Sequence, residues 1–456
     1  MWIFATASAA PPNFIDDVLP IFKEHCLSCH NPDKKKADLD LSTTQTVQIG
    51  SSGGEIVKPG VPDTSVLFMV IDHHEDFEAM PPKKPKLPEA QLKTIHAWIA
   101  EGLLETADGK SQLREMSFDV SSGSAERPEN PAMPTSLPEV AKSETRVPPP
   151  VVAMAVSPWA DVVAASGHEQ IFLLGKQEDD SSKLTRLGIL PFPEGTIHDL
   201  RFSRNGDLLV AAGGMGAKSG KAVLFDVKTG KRKAEIGDET DVVLSADVSA
   251  NHQFVAIGTP LKMVKIFSTQ NGKLLHRIEK HTDWVTVVRF SPDGKLLATA
   301  DRNGGIHVWE TETGGIVYTL DEHKVRVTAL SWRPDGKVLA SAGEDGKFVL
   351  WDMKDGWPTR TVKAHEQKAE SRYSRRTGIL DLSFGRDGQI VTTGRDRSIR
   401  WWKADGAPAG ELKEFESLPL QVGYSPSFKR VYLGDLDGQV HAIDLEQRKI
   451  VDSRAP

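Results

Sequence analysis

The chain is 456 residues long, 39% hydrophobic and 26% charged, with a formal net charge of −7. That length exceeds one compact domain and predicts two or more. The acidic balance excludes the basic face that nucleic-acid binding needs, and no run approaches the roughly 18 apolar residues of a spanning helix. No nucleic-acid partner and no transmembrane segment are therefore expected.

Residues 1–12 are small and apolar, and Ala7-Ser8-Ala9 fits an A-x-A cleavage site without a basic stretch before it. They read as an export-signal remnant or as a disordered leader. Asn13 then caps a helix with Phe14, Val18 and Phe22 on one face. Pro20 should bend that helix or restart it.

The helix delivers Cys26-Leu27-Ser28-Cys29-His30, a C-x-x-C-H motif made from the only two cysteines of the chain. Two thiols at this spacing reach the vinyl groups of a porphyrin, and the adjacent histidine ligates its iron, so the motif points to one covalent haem c. A zinc knuckle would need a second pair of ligands. A redox dithiol would need a βαβ setting, and a disulfide across two residues would be strained. A covalent haem in turn implies a periplasmic or otherwise exported chain, because this cofactor is attached outside the bacterial inner membrane.

Residues 31–87 read as loops rich in Gly, Pro, Ser and Lys. Within them Met80, in Ala79-Met80-Pro81-Pro82, is the candidate second axial ligand: soft sulfur on a loop stiffened by two prolines. His73, His74, Met69 and His96 are its rivals. Lys34, Lys35 and Lys36 follow the cysteine motif, and Lys83, Lys84 and Lys86 follow Met80. Either they steer an acidic redox partner toward the haem edge or they are ordinary solvated lysines. A second helix opens at Pro88-Glu89, carries Leu92, Ile95, Ile99 and Leu103, and stops near Gly102.

This region, a domain of residues 13–106, resembles the planctomycete-type cytochrome c domain nearly continuously from residue 14 to 104. The resemblance rests on Leu19-Pro20-Ile21-Phe22, Leu39-Asp40-Leu41-Ser42-Thr43, Val57-Lys58-Pro59-Gly60, Asp63-Thr64-Ser65-Val66-Leu67, Met80-Pro81-Pro82 and Ala97-Trp98-Ile99. It implies a small all-α domain in which Met80 is the distal ligand. Lys36-Ala37-Asp38-Leu39 departs from the family, which places glycine before the leucine.

Residues 107–148 lose periodicity and are punctuated by Pro128, Pro131, Pro134, Pro138 and Pro148. They read as a semi-extended linker, spanning roughly 35 Å if flexible.

Residues 149–456 carry a repeat. Turns of the Ser-Pro-Asp-Gly kind recur at Ser157, Ser203, Ser249, Ser291, Arg333, Gly385 and Ser425, spaced 40 to 52 residues apart. Three copies end a later strand in Val308-Trp309-Glu310, Leu350-Trp351-Asp352 or Trp401-Trp402-Lys403, while Phe225 and Phe267 stand in for tryptophan in copies two and three. The pattern resembles the WD-repeat family, implying an all-β, seven-bladed propeller. By that resemblance His323, Ser341, Asp345 and Trp351 form a hydrogen-bonded tetrad, as do His365, Thr392, Asp396 and Trp402. Blade four has His281, Thr299 and Trp309 but Asn303 at the acidic position, which predicts a weaker network. The glycine-rich 213–220 segment lacks the phosphate-loop register and reads as a hairpin. The charged 366–376 insertion reads as a partner contact or a solvated loop.

The sequence thus reads as an electron-transfer protein whose propeller is a docking platform for a redox partner. Two readings stay beside it. One is an oxidoreductase subunit with a site in the propeller channel, where His168, His198 and His441 are the unassigned histidines. The other is a haem-based sensor.

Overall fold

Asn13 starts the first helical segment through a reciprocal box. Its side chain accepts the Asp16 amide at 2.9 Å, and its own amide donates to the Asp17 carboxylate at 2.8 Å. A π-helical turn, Phe14–Val18, leads into α1, Leu19–His25, with Pro20 in the first turn, where no amide is required. The proline restarts the helix, as the sequence predicts. The computed structural model describes residues 11–52, 56–60, 62–74, 77–106, 126–143, 145–177, 180–365, 378–413, 415–425 and 430–456. The leader's first ten residues and the 366–376 insertion lie outside the described residues.

The chain divides into two units, 1–116 and 117–456. The described part of the first holds helices and no strand: α1, α2 (Thr44–Ile49), α3 (Val66–Ile71) and α4 (Glu89–Ala100), with short 3-10 turns at Lys36–Asp38 and Pro62–Thr64. The stretch expected to be loops therefore contains two further helices. α2 is rich in β-branched residues but is started by a capping box between Thr43 and Thr46. α3 is a six-residue apolar run, too short to show a period. α4 ends where expected, with Gly102 at φ +87°.

The core of this unit joins α1 to α4. Phe14 and Trp98 ring centroids lie 5.6 Å apart, and Phe22 meets Trp98 edge-on at 6.4 Å. The Trp98 indole N–H donates to the Leu104 carbonyl at 2.9 Å, and the Phe14 amide donates to the same carbonyl at 2.7 Å. The two ends of the unit are thereby tied together.

The second unit is a seven-bladed propeller. Each blade is a four-stranded antiparallel sheet of consecutive strands: 154–191, 196–239, 245–278, 285–320, 327–363, 379–412 and 419–454. The recurring turn explains itself in blade four. Ser291 Oγ donates to Asp293 Oδ1 at 2.6 Å and accepts the Leu296 amide at 2.9 Å, while Gly294 takes φ +73°. A serine, an acid or amide two residues on and a glycine after it are thus one hydrogen-bonded unit. The 213–220 segment is the predicted hairpin, with Met215 paired to Ser219.

Neighbouring blades are zipped along the channel. Asp247 of blade three accepts the Phe290 amide of blade four at 2.8 Å, and Asp381 of blade six accepts the Val422 amide of blade seven at 2.9 Å. Ser331 of blade five accepts the Phe384 amide at 3.1 Å. No strand is exchanged at the closure between blades seven and one. There the Val151 amide donates to the Asp435 carbonyl at 3.0 Å, and Arg454 donates to the Leu184 carbonyl at 2.8 Å.

Two tetrads stand as the sequence predicts. His323 contacts Asp345 at 3.0 Å and Ser341 at 2.9 Å, and the Trp351 indole donates to Ser341 at 2.9 Å. His365 contacts Asp396 and Thr392 at 2.8 Å each, and Trp402 donates to Thr392 at 3.1 Å. In blade four the expectation of a weaker network is overturned. Asp301, two residues before Asn303, supplies the acid at 3.0 Å from His281, whose other nitrogen and the Trp309 indole both meet Thr299.

The described half of the expected linker, 126–143, is a strap on the propeller. Ala132, Met133 and Leu137 pack on the core of blades one and two, and the Thr135 amide donates to the Lys228 carbonyl at 2.9 Å. Gln170 clamps it further on, accepting the Ser143 amide at 2.9 Å and donating to the Ala141 carbonyl at 2.6 Å. A flexible tether over that half is excluded by these contacts. Among the described residues no helix is long and apolar enough to cross a membrane.

Candidate functional site

The last turn of α1 hands the chain to the cysteine motif, with the Cys26 and Leu27 amides both donating to the Phe22 carbonyl at 2.8 Å. Each of the five motif carbonyls has a donor. That of Cys26 takes the Cys29 and His30 amides, that of Leu27 takes Asn31 Nδ2, and that of Ser28 takes Lys34 Nζ. The Cys29 and His30 carbonyls take the amides of Lys36 and Leu41. Side-chain direction is therefore set by a backbone with no loose carbonyl.

Both cysteines are free thiols, Cys26 half-buried and Cys29 exposed. Burial pushes the Cys26 thiol up to about 11, so it is protonated near neutral pH. A reactive redox dithiol needs the opposite, a stabilised thiolate. Among the described residues no group of three or more His, Cys, Asp and Glu is gathered as a metal cluster.

His30 Nδ1 lies 3.0 Å from the Lys36 carbonyl oxygen. A carbonyl only accepts, so Nδ1 carries the proton and Nε2 keeps its lone pair. This is the arrangement that orients a metal-bound imidazole and raises its basicity.

Met80 is held by its amide, which donates to the Val70 carbonyl at 2.9 Å. It packs half-buried on the same core as Cys26, Leu27, Leu39, Val66, Phe68 and Val70. Each of these side chains is covered only in part by the protein. Two thiols, an imidazole, a thioether and partly covered apolar side chains suit a flat apolar macrocycle with a central metal. A recess of about 560 Å³ between α3 and α4, lined by Phe68, Lys86, Leu92 and His96, contains neither cysteine nor Met80.

Of the rivals to Met80, His96 is engaged, with Nε2 3.1 Å from Asp63 and its ring edge-on to Phe68. His74 meets Phe77 edge-on at 6.2 Å. His73 keeps a buried Nε2 without a hydrogen-bond partner, whereas the Nε2 of His25, which sequence reasoning passed over, lies 3.5 Å from the Glu24 carboxylate. Only its place beside Cys26 could have singled His25 out. Lys34 is spent on the motif and Lys86 pairs with Asp72 at 2.6 Å. Lys35, Lys36, Lys83 and Lys84 are exposed, without ion pairs among the described residues.

Residues 26–84 match the family model of the planctomycete cytochrome C. The match opens on Cys26 and closes just past Met80, so it contains Cys26, Cys29, His30 and Met80. Residues 272–310, 314–352 and 356–403 match the WD domain, G-beta repeat model, each repeat starting on the outer strand of one blade and ending on the third strand of the next, in blades four, five and six. No curated protein matches the chain. The cytochrome-like segment and the WD-type propeller are thus carried by one polypeptide.

The three unassigned propeller histidines do not form a ligand set. His441 is held by Asp435 at 3.0 Å and Ser453 at 2.7 Å. His168 is exposed beside Lys142, and His198 stands near Asp199 and Asp241.

Proposed function

We propose that this chain is an exported c-type haem protein that carries single electrons and uses its propeller as a docking platform for a redox partner. The observation that carries the proposal is the His30–Lys36 hydrogen bond inside a fully bonded C-x-x-C-H turn. Cys26 and Cys29 would hold the haem by two thioethers, and His30 Nε2 and the Met80 sulfur would ligate its iron. The first unit would then be a small all-α cytochrome c domain. The haem supplies reversible one-electron chemistry between ferric and ferrous iron.

The chain's own residues account for the rest. The Lys36 carbonyl holds the proton on His30 Nδ1 and fixes the ring. Leu27, Leu39, Phe68 and Val70 exclude water from one side of the site, and such burial raises a haem potential. Lys35, Lys36, Lys83 and Lys84 leave positive charge to attract an acidic partner, an effect on association rate. In the propeller the tetrad histidines are engaged in structure, so docking is the role left to its surface. A covalent haem requires maturation outside the inner membrane, hence the exported location.

The test is the intact mass of protein made in an exporting host with c-type assembly machinery. One added haem in the wild type, lost in the Cys26→Ser, Cys29→Ser double variant, supports the proposal. An unchanged mass in the wild type overturns it.

A further inference from the structure

In blades one to six the turns that join the first two strands stand at one mouth of the channel, and four of these blades put unusual side chains there. Arg204, in the turn of blade two, donates from Nη2 to the Pro334 carbonyl in the turn of blade five at 3.4 Å. Those blades lie three steps apart in a ring of seven, so this contact crosses the mouth. Trp159 of blade one donates its indole N–H to the Arg204 carbonyl at 2.9 Å. The Arg386 guanidinium of blade six lies 3.4 Å from the centroid of the same indole, and Arg127 of the strap lies 5.9 Å from it.

Two guanidiniums, those of Arg386 and Arg127, therefore share the Trp159 ring, and that of Arg204 stands near enough to Arg386 to repel it. An arginine cannot discard its charge to relieve such crowding. Burial, then Arg127 and Arg204, push the Arg386 pKa below its ordinary value, and burial alone does the same at Arg204. Among the described residues no carboxylate forms an ion pair with Arg127 or Arg204. Arg204 Nε is buried with no hydrogen-bond partner. In two of the turns the acid has its own partner, Asp335 with Arg333 at 2.9 Å and Asp387 with the Gln389 amide at 3.1 Å. Deeper in the channel Arg289 is neutralised by Asp199 at 2.8 Å, which shows how the same propeller balances an arginine when no ligand is needed.

We propose that this closed mouth is an anion site, in which Arg127, Arg204 and Arg386 beside Trp159 bind a multivalent oxyanion of the phosphate or sulfate class. Planar guanidiniums give paired N–H donors to such oxygens. The ligand spans strap and blades, because Arg127 arrives from the segment that leads into the propeller. Its binding holds that end of the strap down. The site is independent of any haem.

The test is titration calorimetry of the full chain with sodium phosphate and sodium sulfate, against sodium chloride at equal ionic strength. Saturable binding is expected for phosphate or sulfate. Arg127→Gln should weaken it about tenfold, consistent with loss of one charge-assisted contact, and Arg127→Lys should weaken it less. Arg360→Gln, on an exposed outer strand, should leave binding unchanged. Arg127 lies outside the blades, so its variant keeps the propeller fold, checked by circular dichroism. Equal heats for chloride and phosphate, or affinity indifferent to Arg127, would mean an adventitious ion only and overturn the site. Binding of succinate or citrate without phosphate or sulfate would overturn the ligand class.

Discussion

His281 Nδ1 and Asp301 Oδ2 lie 3.0 Å apart, with both side chains almost wholly removed from water. The same carboxylate also accepts the Asn303 and Gly305 amides at 2.9 and 2.8 Å. Asp301 is therefore the hub of blade four, and its loss strands a buried imidazole together with two backbone donors. Asp301→Ala should cost about 3 kcal/mol or more. Asn303→Ala, at an exposed position, should change stability by less than about 0.5 kcal/mol. Urea unfolding followed by tryptophan fluorescence measures both.

Acid should weaken the propeller in two stages. Burial and the neighbouring His281 push the His307 pKa from 6.5 down to about 4. Between those values the unfolded chain takes up a proton that the folded chain refuses. Stability is therefore full above the unfolded value and falls as pH drops through this window, by at most about 3 kcal/mol for His307. His198 and His365 are shifted down chiefly by burial and act in the same direction. Below that window Asp301, Asp345 and Asp396 follow. Burial opposes their ionisation, yet hydrogen bonds from the tetrad histidines hold their pKa values below the usual carboxylate value. His307→Gln should flatten the pH–stability profile between pH 4 and 6.5, as read from melting temperature.

The strap depends on a small residue beneath it. A Cβ at Gly188 would overlap Leu137 Cδ1 and come within 3.2 Å of Leu137 Cβ. Gly188→Val should lift the strap while leaving the seven blades in place. Limited proteolysis should then cut within 126–143 many times faster than in the wild type, and unchanged cleavage would contradict the packing described.

Trp98 joins both ends of the first unit through Phe14, Phe22 and the Leu104 carbonyl. Trp98→Ala should remove about 3–5 kcal/mol, more than a small core holds in reserve. Calorimetry should show the transition of the first unit lost and that of the propeller kept.

What could be read beforehand follows from where the determining contacts lie. The recurring turn was legible because, as in blade four, Ser291, Asp293 and Gly294 bond to one another locally, so the signal sits inside four residues. The cysteine motif was legible for the same reason. Asp301 was missed because the acid is displaced by two positions while Asn303 occupies the familiar one. His307 belongs to no repeated partner set, and nothing near it in sequence marks it. The strap escaped notice because Leu137 meets Gly188 across 51 residues of chain and no periodicity precedes that contact. α2 and α3 were hidden by shortness, since six residues cannot display a helical period.

The central claim is a covalent haem ligated by His30 and Met80, and the most direct measurement is the absorption spectrum of protein matured by c-type assembly machinery. It is taken oxidised and reduced, with and without CO, for the wild type and Met80→Ala. The account predicts a c-type spectrum with a sulfur-to-iron band that disappears in Met80→Ala, and a wild-type ferrous form that does not bind CO. CO binding by the wild type would contradict Met80 ligation and favour a sensor or a catalyst. A wild-type protein without covalent haem would contradict the account at its root.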